Sequence, residues 1–373
     1  MKPVHFVSIS GGKDSTAVAC LAKERAERRD MEIRYLFADT GNEHPLTLEH
    51  VAYLGDALGV TIETVRADLA HKFPARREAI ARDWLVERRE KRHTDECRRR
   101  CAEDLSFAES VVFRQGCDCP VKISPILPPE LVAEAVQAMQ PTGNPFLDMA
   151  MLSGRFPGSK SRFCTEILKL EPMAAVKDAV RFGPQGRSVI EWIGERAEES
   201  KARAAKPAIE RVDCSFRAPA ILYRPIHKLK ARETFEIAKR HGIKPNPLYL
   251  MGMGRVGCMP CIMARKGEIR EIARRFPDQI ERIERWEAIV GRVARHALTS
   301  YNSGDRRELV SSFLPVDRVP ANVAGDERAT IRRAVEWART GKGGRNFDLL
   351  NVLDDVEHDD APTRCLSDYG LCE

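Results

Sequence analysis

The chain has 373 residues, 43% of them hydrophobic, which is the content of a globular protein and not a disordered one and allows one large domain or two smaller ones. Its formal charge of +6, from 61 basic and 55 acidic residues, permits an anionic ligand or nucleic acid without demanding either. No apolar run approaches the roughly 18 residues of a membrane span, and Met1 leads at once into strand-like Val4-His5-Phe6-Val7 instead of a signal sequence, so the expectation is a cytoplasmic protein with no membrane partner. In that compartment 11 cysteines argue against a disulfide framework and for metal binding or catalysis.

In chain order, the apolar stretch 4–9 predicts a strand that ends in a glycine turn, and 16–26 carries apolar residues at helical spacing. Residues 33–37 repeat the strand pattern, 46–58 the helix and 60–65 a third strand. Such alternation predicts an α/β fold, a parallel twisted sheet with helices on both faces, whose ligands lie at the carboxyl ends of the strands, here 8–12 and 38–41. From about 66 to 157 the pattern loosens into a basic run at 88–100, the Cys117/Cys119 pair and a Pro-rich turn at 125–129, read as a helical insertion that covers the site. Residues 189–193 predict a fourth strand, and 220–226 lead into a helix ending at Gly242. Beyond Cys261 the chain reads as helical and highly charged to about 295, then as weakly patterned to its end.

Ser10-Gly11-Gly12-Lys13-Asp14-Ser15 falls where the first strand gives way to a helix. Two glycines let the backbone approach an anion, the helix N-terminus adds unpaired N–H groups and a positive dipole end, and Ser10, Lys13 and Ser15 add donors and charge. The GxxxxGK spacing of a Walker A loop is missing, and a helix cap is the plainer alternative. The string resembles the SGGxDS signature of the PP-loop superfamily, and the resemblance extends to about Trp286. Ala38-Asp39-Thr40-Gly41, with Glu43 and Pro45, is similar to the second-strand TDTGxxxPET segment, which makes Asp39 and Thr40 adenosine or metal-water contacts. Arg162-Phe163-Cys164-Thr165-Glu166-Ile167-Leu168-Lys169 with Pro172 resembles the CCxxRKxxPL segment of sulfonucleotide reductases, the group that includes the phosphoadenosine phosphosulfate (PAPS) reductases, and equally the CTxxLKxxP segment of DNA phosphorothioation sulfur transferases. Arg162 and Lys169 are then cationic clamps on phosphate or sulfate, with a solvated helix face as the alternative. Gly194 to Arg203 is similar to a GxRxxES segment, adding Arg196 and Arg203 as weaker candidates of the same kind. The resemblance implies the adenine nucleotide alpha-hydrolase-like fold, divided into a nucleotide-binding domain at 1–262, interrupted by the insertion, and a mainly helical region at 263–373 with a cysteine-bearing tail.

Gly257-Cys258-Met259-Pro260-Cys261, preceded by Asn246-Pro247-Leu248-Tyr249 and Gly252, resembles the cluster segment of iron-sulfur adenylylsulfate reductases, which implies a 4Fe-4S cluster with Cys164 as a third ligand. Cys365 is the fourth ligand carried forward, with Cys372, Cys119 and Cys214 as alternatives; a zinc site and unligated buried thiols stay open. The tail also invites comparison with the mobile ECGLH tail of PAPS reductases, which makes Cys372 a candidate nucleophile, although here it follows Gly370-Leu371 and no His follows it. Cys97/Cys101 and the arginines of 88–100 are weakly informative, a nucleic-acid backbone and a solvated helix face being equal readings.

Two activities follow from the resemblance. In the first, ATP and Mg²⁺ occupy the loop, Lys13, Asp14, Arg162 and Lys169 serve adenylation of an acceptor such as nucleic acid, and sulfur from a donor such as a cysteine desulfurase displaces AMP. In the second, PAPS or adenylylsulfate is reduced through a cysteine thiosulfonate that thioredoxin resolves. The retained lysine of Gly-Gly-Lys-Asp-Ser favours the first. A nucleotide-binding or DNA-binding module without chemistry is the third reading, against which Lys13 and Asp14 argue.

Overall fold

A computed structural model describes residues 1–91, 94–103, 119, 121–159, 161–213, 219–302, 310–314 and 330–340. Strands β1 (Val4–Ile9), β2 (Glu32–Asp39) and β3 (Ile62–Arg66) alternate with helices α1 (Lys13–Arg28) and α2 (Pro45–Leu58), the order that the hydrophobic periods predict. Later come α3 (Phe73–Asp83), β4 (Arg88–Lys91), α4 (Asp95–Glu103), β5 (Val121–Ser124), α5 (Pro129–Ala138), α6 (Pro145–Ser153) and α7 (Glu171–Phe182). Then follow β6 (Val189–Trp192), β7 (Ile209–Asp213), β8 (Ala220–Tyr223), α8 (Ala231–Arg240), α9 (Lys266–Arg275), α10 (Pro277–Arg292), α11 (Arg295–Asn302) and α12 (Ile331–Arg339).

The main sheet has six strands in the order β3-β2-β1-β6-β8-β7, all parallel to their neighbours except β7, which runs antiparallel to β8. Period-2 alternation separates its two faces. Val7, Ile9, Tyr35 and Phe37 pack with Ala17, Val18 and Leu54 of α1 and α2 and Ile237 of α8, whereas Val4, Phe6, Leu36 and Ala38 pack with Met173 of α7. The sheet grows outward from β1 in both directions, so the ends of β1 and β6 flank a topological switch point, where an open α/β sheet leaves a crevice for ligands.

A third core joins α3, α5 and α6 of the insertion to α9, α10 and α12 through Phe73, Phe146, Trp286, Phe313 and Ile331. The insertion is helical as expected but also contains a two-stranded ribbon, β4 against β5. Arg88-Arg89-Glu90-Lys91 shows no apolar alternation from which that strand is readable. β7 escapes the same test because it is an edge strand with exposed Ile209 and Val212.

Glu287, with 0% exposure, ties this helical layer together. Its carboxylate accepts the N–H of Phe313 at 2.7 Å and that of Ile331, the first residue of α12, at 2.9 and 3.0 Å. Glu287→Ala strands these buried donors and is expected to cost about 3 kcal/mol by chemical denaturation, with Glu287→Gln losing less because one acceptor oxygen remains.

His50 on α2 is buried, and burial pushes its pKa down to about 4 from 6.5. Above pH 6.5 the ring is neutral folded and unfolded; below it the unfolded chain gains a proton that the folded chain refuses until about pH 4. The folded state therefore loses about 3 kcal/mol as pH falls through that window. In unfolding measurements across it, His50→Leu should gain on the wild type by that amount as acidity rises.

Candidate functional site

β1 is flush with the sheet and releases the chain at Ser10 into a loop that only glycines can close. Gly11 has φ +71°, and a Cβ there would lie 2.9 Å from Cγ2 of Thr47 on α2. The loop is braced from within. Ser15 Oγ donates to the Gly12 carbonyl at 3.0 Å and accepts the Ser10 N–H at 3.1 Å, while Thr16 Oγ1 donates to the same carbonyl at 3.0 Å. It is braced from outside by the turn after α8, where Asn246 Nδ2 donates to the Gly11 carbonyl at 3.1 Å and Tyr249 Oη accepts the Lys13 N–H at 3.0 Å. Gly12 caps α1 without a side-chain hydrogen bond, and the N–H groups of Gly12, Asp14 and Ser15 have no acceptor among the described residues. Four N–H groups at a helix start lack an intrahelical partner, and these three lie at the end where the macrodipole is positive.

Lys13 and Asp14 open the helix. The Lys13 ammonium is 3.3 Å from Asp14 Oδ2 and lies over the Tyr249 ring, 5.7 Å from its centroid. The other Asp14 oxygen accepts from Arg196 Nε at 2.6 Å. Arg196 reaches across the switch point from the segment after β6, where Gly194 lets the two backbones touch: a Cβ at 194 would lie 3.0 Å from the Asp14 carbonyl carbon. The buried Arg196 guanidinium also pairs with Glu198, so its first task is to hold Asp14. Arg203 is similarly engaged, by Glu199 and by Glu195 at 3.5 Å.

At the end of β2, Asp39 accepts the Gly41 N–H at 2.8 Å and faces Arg66 Nε at 3.7 Å. Thr40 is buried, donates from Oγ1 to Glu43 at 2.7 Å and lies 3.5 Å from Cys258 Sγ. An isolated β-bridge joins Glu43 to Cys258. The turn carrying Cys258 and Cys261 is further fixed by Arg282 of α10, which donates to the Met259 carbonyl at 2.6 Å and to Asn42 Oδ1 at 2.8 Å. Sequence reasoning assigned no role to Asn246, Tyr249 or Arg282, whose partners are distant in the chain.

Lys169 sits on a π turn, Glu166–Leu170, and its ammonium lies in the field of Cys258, Glu43, Cys261 and Cys164; the Cys258 charge is the largest influence raising its pKa, against the opposing effect of burial. Burial pushes the Cys258 thiol up to about 12, against the opposing pull of the Lys169 charge. The structure thus groups Lys169 with Cys164, Cys258, Cys261, Thr40 and Glu43. Arg162 is instead exposed at the start of the preceding helical turn, and among the described residues no hydrogen bond or ion pair ties it to the loop. Cys365 and Cys372 lie outside the described residues.

The cysteine group does not form a cluster cage among the described residues. No three His, Cys, Asp or Glu side chains there converge as metal ligands. A lysine ammonium lies within electrostatic reach of the group, and the cavity beside Cys258 and Cys261, bounded by Met253, Arg255 and Met259, holds about 20 Å³, room for one water. No step is assigned to a cluster.

The family model for the phosphoadenosine phosphosulfate reductase domain matches residues 4–113 and 137–264. An uncharacterized 37.8 kDa protein in the gpa 5′ region of Escherichia phage 186 is 37% identical over 99% of this chain and 97% of its own length. An uncharacterized nin region protein of Escherichia phage lambda, ORF290, is 24% identical over 55% of this chain and 52% of its own. The crystal structure of phosphoadenylyl-sulfate (PAPS) reductase from Candida auris, a phosphate complex, covers 69% of this chain and 83% of that one at 14% identity and a TM-score of 0.34, a likeness too loose to carry argument.

Proposed function

The chain belongs to the phosphoadenosine phosphosulfate reductase domain family, and from that premise we propose that it binds ATP on the Ser10–Ser15 loop and adenylates an acceptor for sulfur transfer. The observation that carries the reading is the glycine loop at the start of α1, where the Gly12, Asp14 and Ser15 N–H groups have no acceptor among the described residues and Lys13 adds its ammonium. Such a cradle fits the polyanionic end of a nucleotide, taken as its Mg²⁺ complex. An acceptor oxygen attacks the α-phosphorus, the bond to the bridging oxygen breaks, and pyrophosphate leaves with the electron pair. Loop N–H groups and Lys13 stabilise that departing charge without reorganising, because Tyr249, Asn246 and Ser15 already fix the loop. Arg196 is a positioning residue that keeps Asp14, and through it Lys13, in place. Lys169 supplies a second fixed cation at the end of β2. A sulfur nucleophile from a separate donor, of the cysteine desulfurase class, then displaces AMP from the acceptor.

The test incubates the full chain with [α-³²P]ATP, Mg²⁺, nucleic-acid acceptors and sulfide as the sulfur nucleophile and, in parallel, with PAPS or adenylylsulfate plus thioredoxin. AMP and pyrophosphate in equal amounts are expected. Sulfite released from the sulfated nucleotides with ATP left intact overturns the proposal in favour of a reductase. Nucleotide binding with neither reaction overturns it in favour of a binding module.

A further inference from the structure

The three cysteines near Lys169 come from two chain segments, and neither segment contains a carboxylate. No Asp or Glu occurs between Asp148 and Glu166, which enclose Cys164, or between Glu236 and Glu268, which enclose Cys258 and Cys261. The chain carries 55 acidic residues in 373, so stretches of this combined length would hold about seven at the average density. They hold arginines instead. Arg155, Arg162, Arg255 and Arg265 are all exposed, and none of them forms an ion pair among the described residues.

The structure sets these arginines beside the cysteine group. Arg155 lies over the Phe163 ring, 5.2 Å from its centroid, and donates to Ser161 Oγ at 3.4 Å, while Arg162 directly precedes the helical turn Phe163–Thr165 that carries Cys164. Cys164 is in turn within electrostatic reach of Cys261. Arg255 lines the cavity beside Cys258 and Cys261, and Arg265 enters α9 right after the turn in which the Ala264 N–H donates to the Cys261 carbonyl at 2.8 Å. The carboxylates nearby are committed elsewhere: Glu268 accepts the Arg265 N–H at 2.7 Å, and buried Glu43 accepts from Thr40 Oγ1.

The basic run at 88–100 is different. Arg89 pairs with Glu87 at 2.7 Å, and Arg98 pairs with Asp95. Charges interleaved with carboxylates cancel within a Debye length of roughly 10 Å, whereas a rim of one sign keeps its field. Arginine suits phosphate because its planar fork donates two N–H groups at once. A guanidinium held over an aromatic ring, as Arg155 is over Phe163, also offers single-stranded bases a surface to pack on.

We propose that the rim formed by Arg155, Arg162, Arg255 and Arg265 binds the sugar-phosphate backbone of a single-stranded nucleic acid and holds it over Cys164, Cys258 and Cys261. The inference rests on the reading of the chain as an enzyme that modifies an acceptor, and it makes that acceptor a nucleic-acid strand. Binding releases counterions from the strand and involves no covalent step.

The test titrates the full chain, without ATP, into a fluorescent single strand of about 20 nucleotides across a salt series, and follows anisotropy. Arg162→Glu/Arg255→Glu is expected to weaken binding about ten-fold or more and to lower the slope of log Kd against log salt by about 1.4, the value for two lost phosphate contacts on a single strand. Arg29→Glu, which reverses an exposed charge at the end of α1 opposite the glycine loop, should change neither. Should the double variant not fold, photocrosslinking of a thiopyrimidine-bearing strand to the wild type should mark peptides covering 153–165 or 253–265. Rim-dependent strand binding in a chain inert to ATP would keep the rim and remove the adenylation; ATP turnover in a chain that binds no strand would do the reverse. Equal losses in Arg29→Glu and the double variant, crosslinks confined to other segments, or tighter binding of polyglutamate than of the strand would each overturn the proposal, the last in favour of an acidic protein partner.

Discussion

Lys13→Ala is expected to lower pyrophosphate release from ATP by about two to three orders of magnitude while leaving the fold intact, the size seen when one preorganised donor is removed from a transition-state site. The Lys13 side chain is 8% exposed, so its charge acts in a poorly screened setting. Asp14 and the Tyr249 ring hold its ammonium beside the loop. Removing it leaves Asp14 paired with Arg196, which is why stability should change little. Lys13→Arg keeps the charge but needs space for a planar fork and should recover only part of the rate. Initial rates at saturating ATP, with melting curves for each variant, check this; an unchanged kcat in Lys13→Ala would remove Lys13 from the reaction.

The second large effect concerns Asp14 and Arg196. Their 2.6 Å pair spans the switch point with only 5% of the Arg196 side chain and 19% of the Asp14 side chain exposed. Arg196→Met leaves Asp14 with Lys13 alone and Glu198 without its partner, and should cost about 3 kcal/mol, as breaking a buried pair from one side does. The double variant Asp14→Asn/Arg196→Met should regain much of that stability, since no buried carboxylate is then left short of a counter-charge, yet remain inactive because Lys13 is no longer held. A thermodynamic cycle of denaturation midpoints together with turnover separates the two roles. Equal losses in single and double variants would mean that the pair is not coupled.

The glycine loop after β1 was legible because its residues are contiguous: Ser10 to Ser15 falls where a strand gives way to a helix, both with unmistakable periods, and glycine is required at Gly11 by φ and by the approach of Thr47. Thr40 and Asp39 were placed for the same reason, at the end of a plain parallel strand. Arg162 and Lys169 were less transparent. Seven residues apart, they share a face of an α-helix, but the π turn at Glu166–Leu170 breaks that period, leaving Arg162 in solvent and taking Lys169 to Cys258 and Glu43. Asn246 and Tyr249 fall in a segment that the sequence marked, but their bracing roles, like that of Arg282, had no local signal, since each acts on backbone brought near only by the tertiary fold. β4 and β7 were missed because charged or edge strands carry no core-facing alternation.

Hydrogen–deuterium exchange with and without Mg²⁺-ATP tests the central claim most directly, because the Gly12, Asp14 and Ser15 N–H groups are the donors assigned to the phosphates. Slowed exchange in peptides covering 10–16 with ATP, and no slowing with adenosine, is the predicted result. Exchange unchanged there while another segment becomes protected, or no protection by any adenine nucleotide, would contradict it.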